Sequence, residues 1–137
     1  MDRRIIADTS GIIAFLDRDD HYHSSVVDVI KNHQIYIPVT VLPEVDYLAT
    51  KYLGERVARS FLEDLADGYF NYLPIELDEI NQTTKIMERY KDLPLGFVDA
   101  SLVILAKRYQ IRKILTLDRR HFHLIQSDFI KYLELFP

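Results

Sequence analysis

Apolar residues follow two alternating rhythms along this chain. Short runs with β-branched residues, RIIA at 4–7, QIYIP at 34–38, YFNYLPIEL at 69–77 and IRKILTLD at 111–118, read as strands. They are nearly continuous rather than alternating, as in a parallel sheet covered on both faces. Between them the period lengthens to that of amphipathic helices. GIIAFL at 11–16, a segment from His23 or Ser24 through VVDVIKNH, VTVLPEVDYLATKYLG at 39–54, ERVARSFLEDLADG at 55–68 and FVDASLVILAKRY at 97–109 each carry it. Asp78 reads as the N-cap of a further helix running to about Tyr90, and KDLPLG as a loop. Strands alternating with helices predict an α/β fold with a mainly parallel sheet of four or five strands. The last segment, RRHFHLIQSDFIKYLELFP, predicts a short helix or turn and an edge strand near residues 130–133.

Punctuation supports these boundaries. Thr9 or Ser10 reads as the cap of the first helix and Thr40 as the cap of the third, whose Pro43 is tolerable only in its first turn. Gly68 reads as a C-terminal stop. With 137 residues the chain is expected to form one domain, residues 1–137. No apolar run approaches the roughly 18 residues of a membrane span, and MDRRIIADTS lacks a signal-peptide core, so a cytoplasmic protein is expected. The absence of cysteine removes thiolate catalysis and cysteine-bound zinc.

Four carboxylates stand out by position. Asp8 and Asp118 follow strand runs, where an open α/β sheet forms its ligand crevice, and they read as equivalent strand-end residues. Glu44 shares a helical face with Val41, Tyr47 and Leu48, so it is expected to look toward packed apolar surface. Asp99 shares one with Leu102, Val103 and Ala106, which would hold it against the sheet. Helix capping by Asp8 and dipole stabilisation of Asp99 are the simpler readings of each acid alone. Were all four to converge, protonation or a divalent cation would have to relieve their repulsion, and oxygen ligands favour Mg²⁺ or Mn²⁺. Asp17, Asp19 and Asp20 read as solvated loop. The net charge of −4 argues against a broad nucleic-acid coat without excluding an enzyme acting on nucleic acid.

DTSG at Asp8, LPEV at Glu44, LGFVDAS at Asp99 and LTLDRRHF at Asp118, in that order, resemble the PIN-domain nucleases, and the compact chain resembles their VapC-type toxins. The resemblance covers essentially the whole sequence. It implies a three-layer α/β/α sandwich in which the first and fourth strands are neighbours. It also implies metal-dependent hydrolysis of RNA by Asp8, Glu44, Asp99 and Asp118, with Asp8 and Asp99 as direct ligands of Mg²⁺ or Mn²⁺ and the other two bound directly or through water.

Thr9, Ser10 and Thr116 are expected to support the carboxylates by hydrogen bonds, and Arg119 and Arg120 to meet the phosphate backbone of RNA. His121 and His123 read as members of a solvated basic turn able to assist, while His21 and His23 receive no role. Family members are usually homodimers and are inhibited by an antitoxin, so both partners are expected, with the nine Tyr and seven Phe mostly in the core. A phosphoaspartate receiver or phosphatase would want a second acid next to Asp8 or two residues on, where Ala7, Thr9 and Ser10 stand. A PIN-like RNA-binding or dimerisation module without turnover, or a processing nuclease rather than a toxin, would share the same fold.

Overall fold

A computed structural model describes residues 2–93, 95–128 and 133–137. Five strands, β1 Arg4–Ala7, β2 Gln34–Pro38, β3 Asn71–Leu73, β4 Lys113–Leu115 and β5 Glu134–Phe136, form one sheet in the order β3-β2-β1-β4-β5. All four pairings are parallel. Around them stand α1 Thr9–Leu16, α2 His23–Lys31, α3 Leu42–Leu53, α4 Glu55–Ala66, α5 Leu77–Arg89, α6 Phe97–Tyr109 and α7 Arg119–Asp128. The alternation of periods predicts the parallel sheet, and the family resemblance the three-layer α/β/α sandwich that results. Helix α1 packs on α2 and α3, α3 on α4, and α5 on α6.

The centre of the sheet is the driest part of the molecule. Ile5, Ile6, Ala7, Ile114 and Leu115 are fully buried, as expected for strands covered on both faces. From β1 the chain proceeds outward through β2 and β3, then crosses to β4 and β5 on the other side. The order therefore reverses between β1 and β4, and the crevice beyond their carboxyl ends is the place where such sheets bind ligands. Gly11 lets α1 approach this point: a Cβ there would lie 2.7 Å from Leu115 Cγ and 2.9 Å from its carbonyl oxygen. Any side chain would push the first turn of α1 away from β4.

Several boundaries differ from the sequence pattern, each for a local reason. Asp8, in extended conformation, caps α1 by accepting the Thr9 amide, so Thr9 and Ser10 are already helical. Thr40 lies in a short 3₁₀ turn, Val39–Val41, and α3 starts without a side-chain cap, with Pro43 in its first turn. Asp78 is inside α5, because Glu76 has the extended backbone of a cap and forms a reciprocal capping box with Glu79. Strand β3 is shorter than its apolar run and ends before Pro74, which has no amide to donate. The edge strand is β5; residues 130–132 of the segment expected there lie outside the described residues.

Gly68 does end α4, with a φ of 88° that only glycine adopts freely. Of Tyr22, Tyr47, Tyr52 and Phe61, only Phe61 joins the core; the three tyrosines are exposed. Among the described residues no helix is long and apolar enough to cross a membrane.

Candidate active site

Asp8 is the first residue after β1, and only 4% of it is exposed. Its two oxygens are held separately: Oδ1 accepts the Thr9 amide at 2.8 Å and Oδ2 the Thr116 hydroxyl at 2.8 Å. Burial pushes its pKa up to about 6, with the charges of Asp99 and Glu44 acting in the same direction against those two hydrogen bonds. A carboxylate kept in this condition invites a cation.

Thr116, fully buried, ties the two strand ends together. While its hydroxyl donates to Asp8, the same oxygen accepts the Asp118 amide at 3.0 Å. Ser10 completes the linkage, its Oγ lying 3.3 Å from Thr116 Oγ1 and accepting the Leu117 amide at 2.9 Å. Thr9 supports through its backbone; its hydroxyl is buried and makes no hydrogen bond among the described residues.

Asp118 is not the structural equivalent of Asp8. Strand β4 stops at Leu115, and Asp118 sits three residues on, with its side chain 47% exposed. Asp99 projects from the first turn of α6 and is partly buried rather than sealed against the sheet. Burial raises its pKa, the His121 hydrogen bond opposes this, and the charges of Asp118 and Glu44 add to the rise. Glu44, in the first turn of α3, is exposed and lines the acidic cleft rather than packed apolar surface. The buried side of α3 is formed by Val45 and Ala49, one residue on from the positions of Glu44 and Leu48, and Tyr47 on the face of Glu44 is exposed.

Asp8, Glu44, Asp99 and Asp118 thus line one cleft of about 440 Å³, together with Thr9, Ser10, Ile13, Asp20, Leu48 and Leu117. Asp20 carries no signal in the sequence beyond those of its neighbours Asp17 and Asp19. It reaches the wall through a turn in which its carboxylate accepts the Tyr22 amide at 2.7 Å. His121 is drawn inward, its Nδ1 3.3 Å from Asp99 Oδ2 and 3.5 Å from Asp118 Oδ2. The i,i+3 spacing to Asp118 is the clue that the sequence holds for it. Arg119 and Arg120 instead line a neighbouring cleft with His123, Leu124, Leu133 and Leu135, and Arg119 donates to the Pro137 carbonyl at 2.8 Å.

The donor set fits a hard divalent cation. Carboxylates from five separate segments of the chain line one space, one of them buried with a raised pKa, and a cation would reverse the repulsion among them.

A parallel sheet with acids gathered at its switch point defines a class, and the sequence agrees: residues 5–126 match the PIN domain family model, and the chain belongs to that family. It is 37% identical over 120 residues to Ribonuclease VapC26 of Mycobacterium tuberculosis, an alignment covering 86% of this chain and 89% of the relative. Among solved structures it resembles Mycobacterium tuberculosis VapC20, a sarcin-ricin loop cleaving toxin, with a TM-score of 0.81, 18% identity, and coverage of 88% of this chain and 94% of that one. VapBC2 from Rickettsia felis bound to a promoter DNA fragment matches with a TM-score of 0.66, 17% identity, and coverage of 96% of each chain. At these identities the structural likenesses speak for the fold.

Proposed function

We propose that this protein is a metal-dependent endoribonuclease and the toxin of a toxin–antitoxin pair, working in the cytoplasm as a single PIN domain. The observation that carries the reading is the cleft in which Asp8, Glu44, Asp99 and Asp118 converge at the β1/β4 switch point. The relationship to a ribonuclease at 37% identity supports the substrate class. Asp8, Glu44, Asp99 and Asp118 would hold Mg²⁺ or Mn²⁺, which supplies a nucleophile at neutral pH and offsets charge on the leaving oxygen.

The chain's own contribution is placement. Thr116 and the Thr9 amide fix both oxygens of Asp8, so this carboxylate cannot rotate away when the cleft fills. Ser10 and Thr116 hold the Leu117 and Asp118 amides, setting where the Asp118 carboxylate enters. Glu44 and Asp118, the more exposed acids, face the side from which a phosphodiester approaches. Arg119 and Arg120 serve as contacts for RNA phosphates beyond the cleft rather than at the scissile bond.

An antitoxin protein is the proposed partner, by likeness to chains solved as VapBC assemblies, and the protein is proposed to act as a homodimer. Exposed Tyr47 and Tyr52, with Lys51 Nζ 5.8 and 5.2 Å from their ring centres, give α3 a surface suited to protein contact.

The test is incubation of labelled cellular RNA with antitoxin-free protein, with Mg²⁺ or Mn²⁺ and with EDTA. Cleavage that requires the ion, leaves 5′-phosphate and 3′-hydroxyl ends and disappears in Asp99→Asn is expected. Intact RNA under every metal condition, with metal bound, would leave an RNA-binding or scaffold role.

A further inference from the structure

We infer that His121 is a direct metal ligand, so that the centre holds its cation through one imidazole nitrogen as well as carboxylate oxygens. The inference rests on the nuclease reading and adds to it a nitrogen donor outside the acidic set. His121 Nδ1, one Asp99 oxygen and one Asp118 oxygen all lie within 4.8 Å of one another. Asp99 comes from α6 and His121 from the first turn of α7, so two separate helices aim these donors at one point.

The spacing suits a ligand trio as well as the hydrogen bond that His121 makes to Asp99. Nδ1 stands 3.3 Å from Asp99 Oδ2 and 3.5 Å from Asp118 Oδ2, balanced between the two. Charge-assisted N–H···O bonds close to about 2.7–2.9 Å. Neighbouring donors around a first-row dication with bonds of about 2.1 Å stand about 3.0–3.5 Å apart. The imidazole is only 16% exposed, so its position is set by packing rather than by solvent. With the Nδ1 lone pair on the ion, the ring proton resides on Nε2. A mixed nitrogen and oxygen set favours Mn²⁺ and later first-row ions over Mg²⁺, which prefers oxygen alone.

The deciding experiment is electron spin-echo spectroscopy of the full-length protein loaded with Mn²⁺. Directly coordinated ¹⁴N is expected in the wild type and in His123→Asn, and is expected to vanish in His121→Asn. By titration, His121→Asn should bind Mn²⁺ about 10- to 100-fold more weakly, while its Mg²⁺ affinity changes less than about threefold. The wild-type spectrum is decisive even if the variant fails to fold. Bound Mn²⁺ without nitrogen coupling, in a protein that cleaves RNA, overturns the histidine ligand and leaves the nuclease intact. No Mn²⁺ binding together with no metal-dependent cleavage overturns both.

Discussion

The carboxyl ends of β1 and β4 carry the same sequence signal, an aspartate after an apolar run, yet the fold treats the two acids oppositely. Asp8 is buried at once, capped and bonded on both oxygens, and its pKa is pushed up to about 6. Asp118 stands three residues beyond its strand, half exposed, positioned through its amide. One end of the site is built into the core and resists ionisation. The other is a loop acid that solvent can screen and that can adjust to what enters the cleft. An acid after a strand therefore marks the crevice, but how soon it follows the strand decides how strongly the protein holds it.

The largest effect should come from removing the charge at each end in turn. Asp8→Asn is expected to reduce RNA cleavage at least about 1,000-fold, and Asp118→Asn about 10- to 100-fold, because water can partly replace the exposed group. Single-turnover cleavage at saturating metal measures both. Equal losses would erase the distinction between a built-in and an adjustable acid.

Thr116→Val should come next, since one hydroxyl serves both ends. It leaves the Asp8 carboxylate and the Asp118 amide short of a partner while conserving shape, which costs about 1–3 kcal/mol of stability. Metal affinity should fall about tenfold, with partial recovery in Thr116→Ser. Denaturant melts and metal titration provide the check; a loss of stability with unchanged metal affinity would limit Thr116 to packing.

The last effect, confined to the metal-free fold, is a pH dependence of stability. Asp8 binds its proton more tightly folded than unfolded, with a pKa of about 6 against an ordinary 3.8. Its contribution is therefore fully present below about pH 4 and is lost as pH rises through about 6. Asp8→Asn, lacking the titration, should be more stable than wild type at pH 7 by about 1–3 kcal/mol, with the two converging toward pH 4. Denaturation midpoints across that range, in EDTA, test it. A pH-independent difference would assign the effect to something other than ionisation.

The same contrast explains what the sequence discloses. Asp8, Asp99 and Asp118 are legible because each interrupts an apolar pattern, and strand runs locate the crevice before any contact is known. The outlook of Glu44 is not legible, because the face it shares with Leu48 borders the cleft while the neighbouring Val45 and Ala49 take the core, and periodicity does not say which of two adjacent faces is buried. Asp20 is hidden for another reason: its place at the cleft follows from the path of the α1–α2 turn in three dimensions, which local pattern does not encode. The cap of α5 at Glu76 lies two residues before the expected Asp78, and at α1 the capping reading of Asp8 holds in place of Thr9 or Ser10, since capping depends on backbone conformation as well as residue type. In sequence His121 reads as part of a basic turn; the immediate start of α7 after Asp118 turns it inward.

The pairing of β1 with β4 joins Asp8 to Thr116 across 108 residues of chain. While a ribosome is still making this polypeptide, the emerging N-terminal part holds Asp8 without the strand that orients it. A fragment ending before β4 has an acid but no site. The topology thereby postpones assembly of the acidic cleft until β4 has been synthesised and has paired with β1.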